Sequence, residues 1–175
     1  MQPKILCLVF ALLPFFVQGQ EMYMTISGAI QGNISTGAGN SNSIGVLWDE
    51  DHEDEIFVLA MEQDICVPTD TDTGVPTGPA QLGTLKIKKY TDKASPLLAQ
   101  ATATGELLNL EIKIWRTGTT GMQEQYFTIV SDNATIVNHR FLTADLTDSD
   151  ASNNYNAEEV TFRMTNIEYS HQLSY

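Results

Sequence analysis

From Leu108 to Arg116 the chain alternates: Leu108, Leu110, Ile112 and Ile114 fall on one parity, and Asn109, Glu111 and Lys113 on the other. A period of two marks an extended strand with one face in a core and one in water, because successive side chains leave a strand on opposite sides. The pattern recurs. Met22, Met24, Ile26 and Gly28 alternate with Tyr23, Thr25 and Ser27. Phe57, Leu59 and Met61 alternate with Val58, Ala60 and Glu62 in a run reaching Val67, and Leu85 and Ile87 alternate with Lys86 and Lys88. Tyr126 to Val137 and Val160 to Tyr169 complete the set. In the last segment the apolar parity of Val160, Phe162 and Met164 gives way to Ile167 and Tyr169. That one-residue slip predicts a bulge, or a strand changing faces, near Thr165 or Asn166.

One short segment reads as helix. Ser95 can cap it, Pro96 suits the first helical position, and Gly105 can end it, with Leu97, Leu98 and Ala101 on the buried face. The glycine-rich stretch Gly37 to Gly45 reads as a loop, as does Pro68 to Gly83 with its repeated Gly and Pro breakers. The acid-rich stretch Thr143 to Asn156 is a third. These elements predict a mostly β domain, an antiparallel β-barrel or tight sandwich with one short flanking α-helix.

That domain occupies 20–175. Residues 1–19 read as a secretory signal peptide cut after Gly19: Lys4 supplies the charge, Ile5 to Val17 the apolar region, and Val17-Gln18-Gly19 the cleavage site. Thirteen apolar residues broken by Pro14 are too short for a membrane anchor, which needs about 20. Once the leader is removed no membrane association is expected. Cys66 is then the only cysteine, so no internal disulfide can form; its apolar-alternating surroundings predict a buried small hydrophobe. The processed chain carries 22 acidic and eight basic residues, a balance that disfavours nucleic acid as a partner. Charge is also unevenly spread: from Gln20 to Leu85 there are eleven acidic residues and no basic one, whereas Lys86, Lys88, Lys89 and Lys93 cluster just beyond.

The densest charge is at Asp49 to Glu55, where Asp49, Glu50, Asp51, Glu53, Asp54 and Glu55 surround His52. As a calcium loop it lacks the alternating spacing and the internal glycine. Asp70 and Asp72 open like such a loop, but no acid follows at the required distance. His52, His139 and His171 are scattered, without zinc-ligand spacing, and no nucleophile elbow or phosphate-binding loop is present. A metal-dependent enzyme centred on His52 therefore has little support, and no metal or cofactor is expected. Asn33 and Asn133 begin Asn-X-Ser/Thr tripeptides. Six carboxylates cannot be buried unpaired, so they are expected in water or against cations. Lys86, Lys88, Lys89 and Lys93 of an adjacent copy could supply those cations. Two unlike patches on one chain make a heterologous contact, which closes into a ring if the angle permits.

Several blocks, in order, resemble the haemolysin-coregulated protein family, Hcp. They are ISGAIQGNISTGA (26–38), HEDEIFVLAMEQDICVPTDTDTGVPTG (52–78), KYTDKASPLLAQATATGELL (89–108) and IKIWRTGTTGMQEQYFTIVSDNATIV (112–137). The most distinctive pieces are HEDE before a strand, VPTD before a Gly-Pro loop, DKASPLL at the helix start, and IWRT. The resemblance covers nearly all of Tyr23 to Tyr175. It implies a tube protein of the type VI secretion system, not an enzyme, with a barrel like that of phage tail tubes. Such subunits form homohexameric rings that stack into a hollow tube. A VgrG-type spike caps the tube, a contractile sheath drives it, effectors ride in it, and the tube protein itself is released. The acidic turn would then lie near a subunit boundary, and the long loop with Asp70 and Asp72 would reach a neighbouring subunit or ring. The chain departs from the family at Ala80-Gln81-Leu82, where close relatives are basic, and in having a leader. Either translation begins at Met22 and assembly is cytoplasmic, or the fold is exported by the general route as a secreted binding module or adhesin.

Overall fold

The computed structural model describes residues 19–143 and 156–172. The leader up to residue 18 and the stretch 144–155 lie outside the described residues. Among the described residues eight strands form: β1 (Glu21–Gly28), β2 (Gly32–Asn33), β3 (Ile56–Cys66), β4 (Gln81–Tyr90), β5 (Leu108–Thr117), β6 (Gln123–Leu142), β7 (Ala157–Arg163) and β8 (Glu168–His171). All pairings are antiparallel. They run β1-β3-β4-β7-β6-β5, and β5 pairs back to β1, so the sheet closes on itself. The expected barrel is therefore the architecture, and closure removes the exposed edges that an open sheet would carry. The β1–β5 seam is long, from Glu21↔Trp115 to Gly28↔Leu108. The β1–β3 seam is short, limited to Tyr23↔Phe57 and Met24↔Ile56.

The inward parity fills the barrel. Met24 and Ile26 meet Leu108, Leu110 and Ile112, with Leu85, Ile87, Ile129, Val160 and Phe162 closing the other side, all buried. Strand β3 departs from simple alternation. Ile56 and Val58 are the buried residues at its start; a register shift between Val58 and Ala60 then exchanges the parities, so that Met61 opposes Ile87 and packs against the core. The slip near Thr165 is a real break. Strand β7 ends at Arg163, and β8 resumes at Glu168 against the first half of β6. Asn166 fills the gap: its carbonyl accepts from Ser131 Oγ (2.7 Å) and its side-chain oxygen from Asp132 N (3.0 Å). Beside this break β6 itself distorts at Asn133, whose φ is 56°, a left-handed conformation that asparagine tolerates better than most residues. The Asn33 side chain, for its part, is occupied by the backbone and hydroxyl of buried Ser35.

The described residues form two α-helices, where one was expected. A single turn, α1 (Ser41–Ile44), and a 3₁₀ turn (Gly45–Leu47) occupy the end of the glycine-rich stretch. Helix α2 (Ser95–Thr104) buries Leu98 and Ala101 and packs on β6. Gly105 ends it in the left-handed conformation (φ 65°, ψ 32°). Ser95 is not its cap: the cap position is Ala94, which has no side-chain cap hydrogen bond. Asp92, just before it, accepts from Ala94 N at 2.9 Å, while the Ser95 hydroxyl accepts from Asp92 N and donates to Glu158.

The β3–β4 hairpin runs past the barrel. Its ladder reaches Cys66↔Gln81, so the loop is 67–80, shorter than expected. It is also organised: Thr69 bridges Pro76, and Asp70 accepts from Asp72 N, Thr73 N and the Thr73 hydroxyl. Cys66 is exposed, contrary to expectation, because the ladder here has left the core behind and alternation no longer means burial.

After α2, Glu106 turns back over the β1–β2 connection and accepts from Ile30 N (2.6 Å), Gln31 N (2.8 Å) and Gln31 Nε2 (2.7 Å). A Cβ on Gly28 would lie 2.3 Å from the Glu106 carboxylate, so only glycine leaves it room. The Gln31 backbone N–H, the largest influence, and the other bonds hold the Glu106 carboxyl below its usual range against the opposing effect of burial. A depressed carboxyl contributes stability above its unfolded value and loses it as pH falls through the folded one. Glu106→Gln is accordingly expected to make denaturant midpoints less sensitive to acid as pH falls below the usual glutamate value of about 4.3.

Candidate assembly surface

The acidic segment is folded, not a loose charged strand. Asp49 starts a 3₁₀ turn (Glu50–His52) by accepting from Asp51 N at 3.0 Å. The turn is pinned to the preceding loop: Asp54 accepts from Gly37 N (2.8 Å), and Gly39 N donates to the Glu53 carbonyl (3.0 Å). It is also pinned to the barrel wall. His52 stacks on Tyr23 with ring centroids 3.6 Å apart, and its Nδ1 lies 2.5 Å from Glu55 Oε2. The other Glu55 oxygen meets Lys113 Nζ at 2.8 Å. Burial works against the Lys113 charge, but Glu55 and then Glu111 outweigh it and hold the ammonium above its usual range. Burial, followed by Glu21, Asp49 and Glu55, pushes the Tyr23 phenol up.

The carboxylates were expected in water or against cations, with the cations coming from an adjacent copy; two of the six find partners within the chain instead. Glu55 has its cation in the same chain, and Asp54 is committed to a backbone N–H. Asp49, Glu50, Asp51 and Glu53 remain exposed at the turn.

The basic cluster divides as well. Lys86 is exposed and 3.7 Å from Glu159 of β7. Lys88 is exposed opposite Glu159 in the β4–β7 register. Lys93 is exposed, with its ammonium over Gly37 beside the chain's own acidic turn. Asp70 and Asp72 are exposed in the hairpin tip.

Lys89 does not belong to the surface. It is fully buried, because Leu85, Ile87 and Lys89 share the inward parity. Its Nζ lies 2.9 Å from Asp92 Oδ1, 3.4 Å from Glu158 Oε1 and 2.8 Å from the Tyr90 carbonyl. Glu158 Oε2 in turn faces His139 Nε2 at 2.5 Å. Sequence reasoning missed Glu158, His139 and Asp92; the parity of Lys89 was the one available clue. This ionic group joins β4, the α2 entrance, β6 and β7 at one end of the barrel.

Among the described residues no group of three or more His, Cys, Asp or Glu side chains is placed to hold a metal ion, and no helix is long and apolar enough to cross a membrane. The fold therefore defines the class: a closed antiparallel β-barrel with a helix docked on it and a hairpin projecting from it. The family model described as "Type VI secretion system effector, Hcp" matches residues 23–171, and the chain belongs to the Hcp family. The "Major exported protein" of Pseudomonas aeruginosa is 36% identical over 153 residues, 87% of this chain and 89% of that one. A solved "Hcp protein" superposes with a TM-score of 0.83 at 28% identity, covering 87% of this chain and 92% of that one. "Secreted protein Hcp3 from Pseudomonas aeruginosa" gives 0.73 at 31% identity, covering 87% and 91%. The Hcp family is not an enzyme family.

Proposed function

We propose that this chain is a structural tube subunit of the type VI secretion system, forming hexameric rings that stack into a conduit for effectors and are themselves secreted. Family membership supports the secretion context, and a relative is named as an exported protein. The observation that carries the assembly reading is the projecting hairpin. Ile65, Val67 and Val75 are 52%, 46% and 58% exposed on it, and neighbouring apolar side chains left in water mark a contact surface. Ring neighbours meet through the exposed acids Asp49, Glu50, Asp51 and Glu53 on one side and Lys86, Lys88 and Lys93 on the other. Asp70 and Asp72 ride on the hairpin to the next subunit or ring. A VgrG-type spike, a contractile sheath and effectors in the lumen are the further partners.

Lys86→Glu with Lys88→Glu is expected to weaken ring formation about tenfold at low salt, through slower association more than faster loss. Sedimentation velocity at two ionic strengths measures this. Unchanged assembly in the double variant would remove those lysines from the contact.

A second reading is favoured by the leader: an Hcp barrel exported by the general route and acting outside the cell as a binding module. Mass spectrometry of the native N-terminus separates the two. A start at Gln20 means that the leader is made and cut after Gly19; a start at Met22 means cytoplasmic assembly without it.

A further inference from the structure

The tip of the β3–β4 hairpin is held in shape by its own backbone. Asp70 N donates to the Val75 carbonyl (2.9 Å), Gly74 N to the Asp70 carbonyl (2.8 Å) and Thr77 N to the Pro68 carbonyl (2.8 Å). These bonds leave the side chains of Ile65, Val67 and Val75 half-exposed. Asp70 commits Oδ1 to the turn, and Asp72 beside it is exposed. The hairpin therefore presents an apolar stem and an anionic end. Both are already ordered, so docking them costs little further conformational entropy.

A groove of matching character lies along α1. Its apolar half, about 310 Å³, is lined by Ile44, Val46, Leu47 and Tyr90. Its polar half, about 480 Å³, is lined by Asn40, Asn42, Asp92 and Lys93. Ser43 and Thr91 belong to both halves, so the two are continuous. The Asp92 carboxylate is turned inward to Lys89, which makes the exposed Lys93 the surface charge of the polar half. The groove is also preformed: Lys93 N donates to Ser43 Oγ (2.8 Å), and Thr91 N to the Asn156 carbonyl (3.0 Å). At its apolar rim Val46 is 94% exposed, with Trp48 43% exposed beside it. Neighbouring apolar side chains left this open mark a contact surface.

We propose that the α1 groove is the receptor for the β3–β4 hairpin of a second copy of this chain. Val67 and Val75 cover Ile44, Val46 and Tyr90, and the Asp70–Asp72 end meets Lys93. Apolar stem and acidic tip follow one another on the hairpin as apolar and basic halves do in the groove, so the charges fix the direction of docking. Hairpin and groove are unlike surfaces of one chain, so the contact is heterologous and repeats from copy to copy. The inference rests on the reading that this chain assembles with itself, and it gives the acids of the hairpin a defined counterpart.

The test uses the processed chain, Gln20 to Tyr175. Isotopically light and heavy protein are mixed at high salt, assembled by dilution, and treated with a carbodiimide, which joins carboxylates to amines already in contact. A cross-link between Asp72 of one isotope and Lys93 of the other is expected. Lys93→Asp and Asp72→Lys should each weaken association about tenfold at low salt, and the two together should recover most of the loss, which a role of Lys93 in the ring contact alone would not produce. Val46→Asp should weaken it too, with less dependence on salt. The proposal requires both the mixed link and the recovery. Links within one isotope only, or assembly without either result, overturn it. Rings that form without the link contradict the groove and leave the ring reading standing. The mixed link in open oligomers that never close contradicts the ring reading alone, and a chain that stays solitary under every condition contradicts both.

Discussion

Replacing Lys89 by methionine is expected to lower stability by about 3–5 kcal/mol and the thermal midpoint by roughly 10 °C. Lys89 is fully buried between Asp92 and Glu158. Removing it leaves two buried carboxylates facing each other, with the His139 ring still beside Glu158. The loss is mainly the cost of stranding those charges, not the net value of the pairs. Lys89→Met combined with Asp92→Asn and Glu158→Leu should therefore recover much of it, a coupling that guanidinium unfolding of the variants would measure. The group also has a pH signature. Burial, the largest influence, holds the Asp92 carboxyl above its usual range despite Lys89. A raised carboxyl makes the folded chain bind its proton first, so Asp92 adds stability as pH falls through its folded value towards the unfolded one. Asp92→Asn should abolish that gain.

Gly39→Ala is expected to cost about 1–3 kcal/mol and to dislodge the acidic turn. The added Cβ would lie 2.2 Å from the His52 carbonyl and 2.7 Å from the Glu55 carbonyl, both backbone atoms that no side-chain rotation can move aside. The bond from Gly39 N to the Glu53 carbonyl and the His52 stack would go with them. The barrel should survive, since Gly39 lies outside its strands. Unchanged strand-region hydrogen exchange with faster exchange over 49–55 is the expected pattern, and ring formation should fall with it. A variant that loses the turn but assembles normally would exclude this segment from the contact.

The barrel was legible because one face of each strand is core and the other water. Leu108, Leu110, Ile112 and Ile114 alternated with polar residues in sequence and are buried in the fold, and the slip after Met164 marked where β7 gives way to β8. Periodicity failed where pairing and burial part company. Cys66 alternates correctly but sits in a hairpin beyond the core, and β3 changes parity at a register shift that no residue type announces. Lys89 carries the inward parity of Leu85 and Ile87, yet its charge suggested water; its partners Asp92 and Glu158 lie 3 and 69 residues away, and only folding brings them together. The acidic turn was visible as composition. Its internal commitments, Glu55 to Lys113 and Asp54 to Gly37, depend on strand closure.

The claim on which the functional account turns is that identical acidic barrels join edge to edge. Native mass spectrometry of Gln20 to Tyr175 at low ionic strength tests it most directly. A dominant species of six times the chain mass, shifting to smaller species as salt rises, is the predicted result. A single-chain mass at every concentration and ionic strength would contradict it.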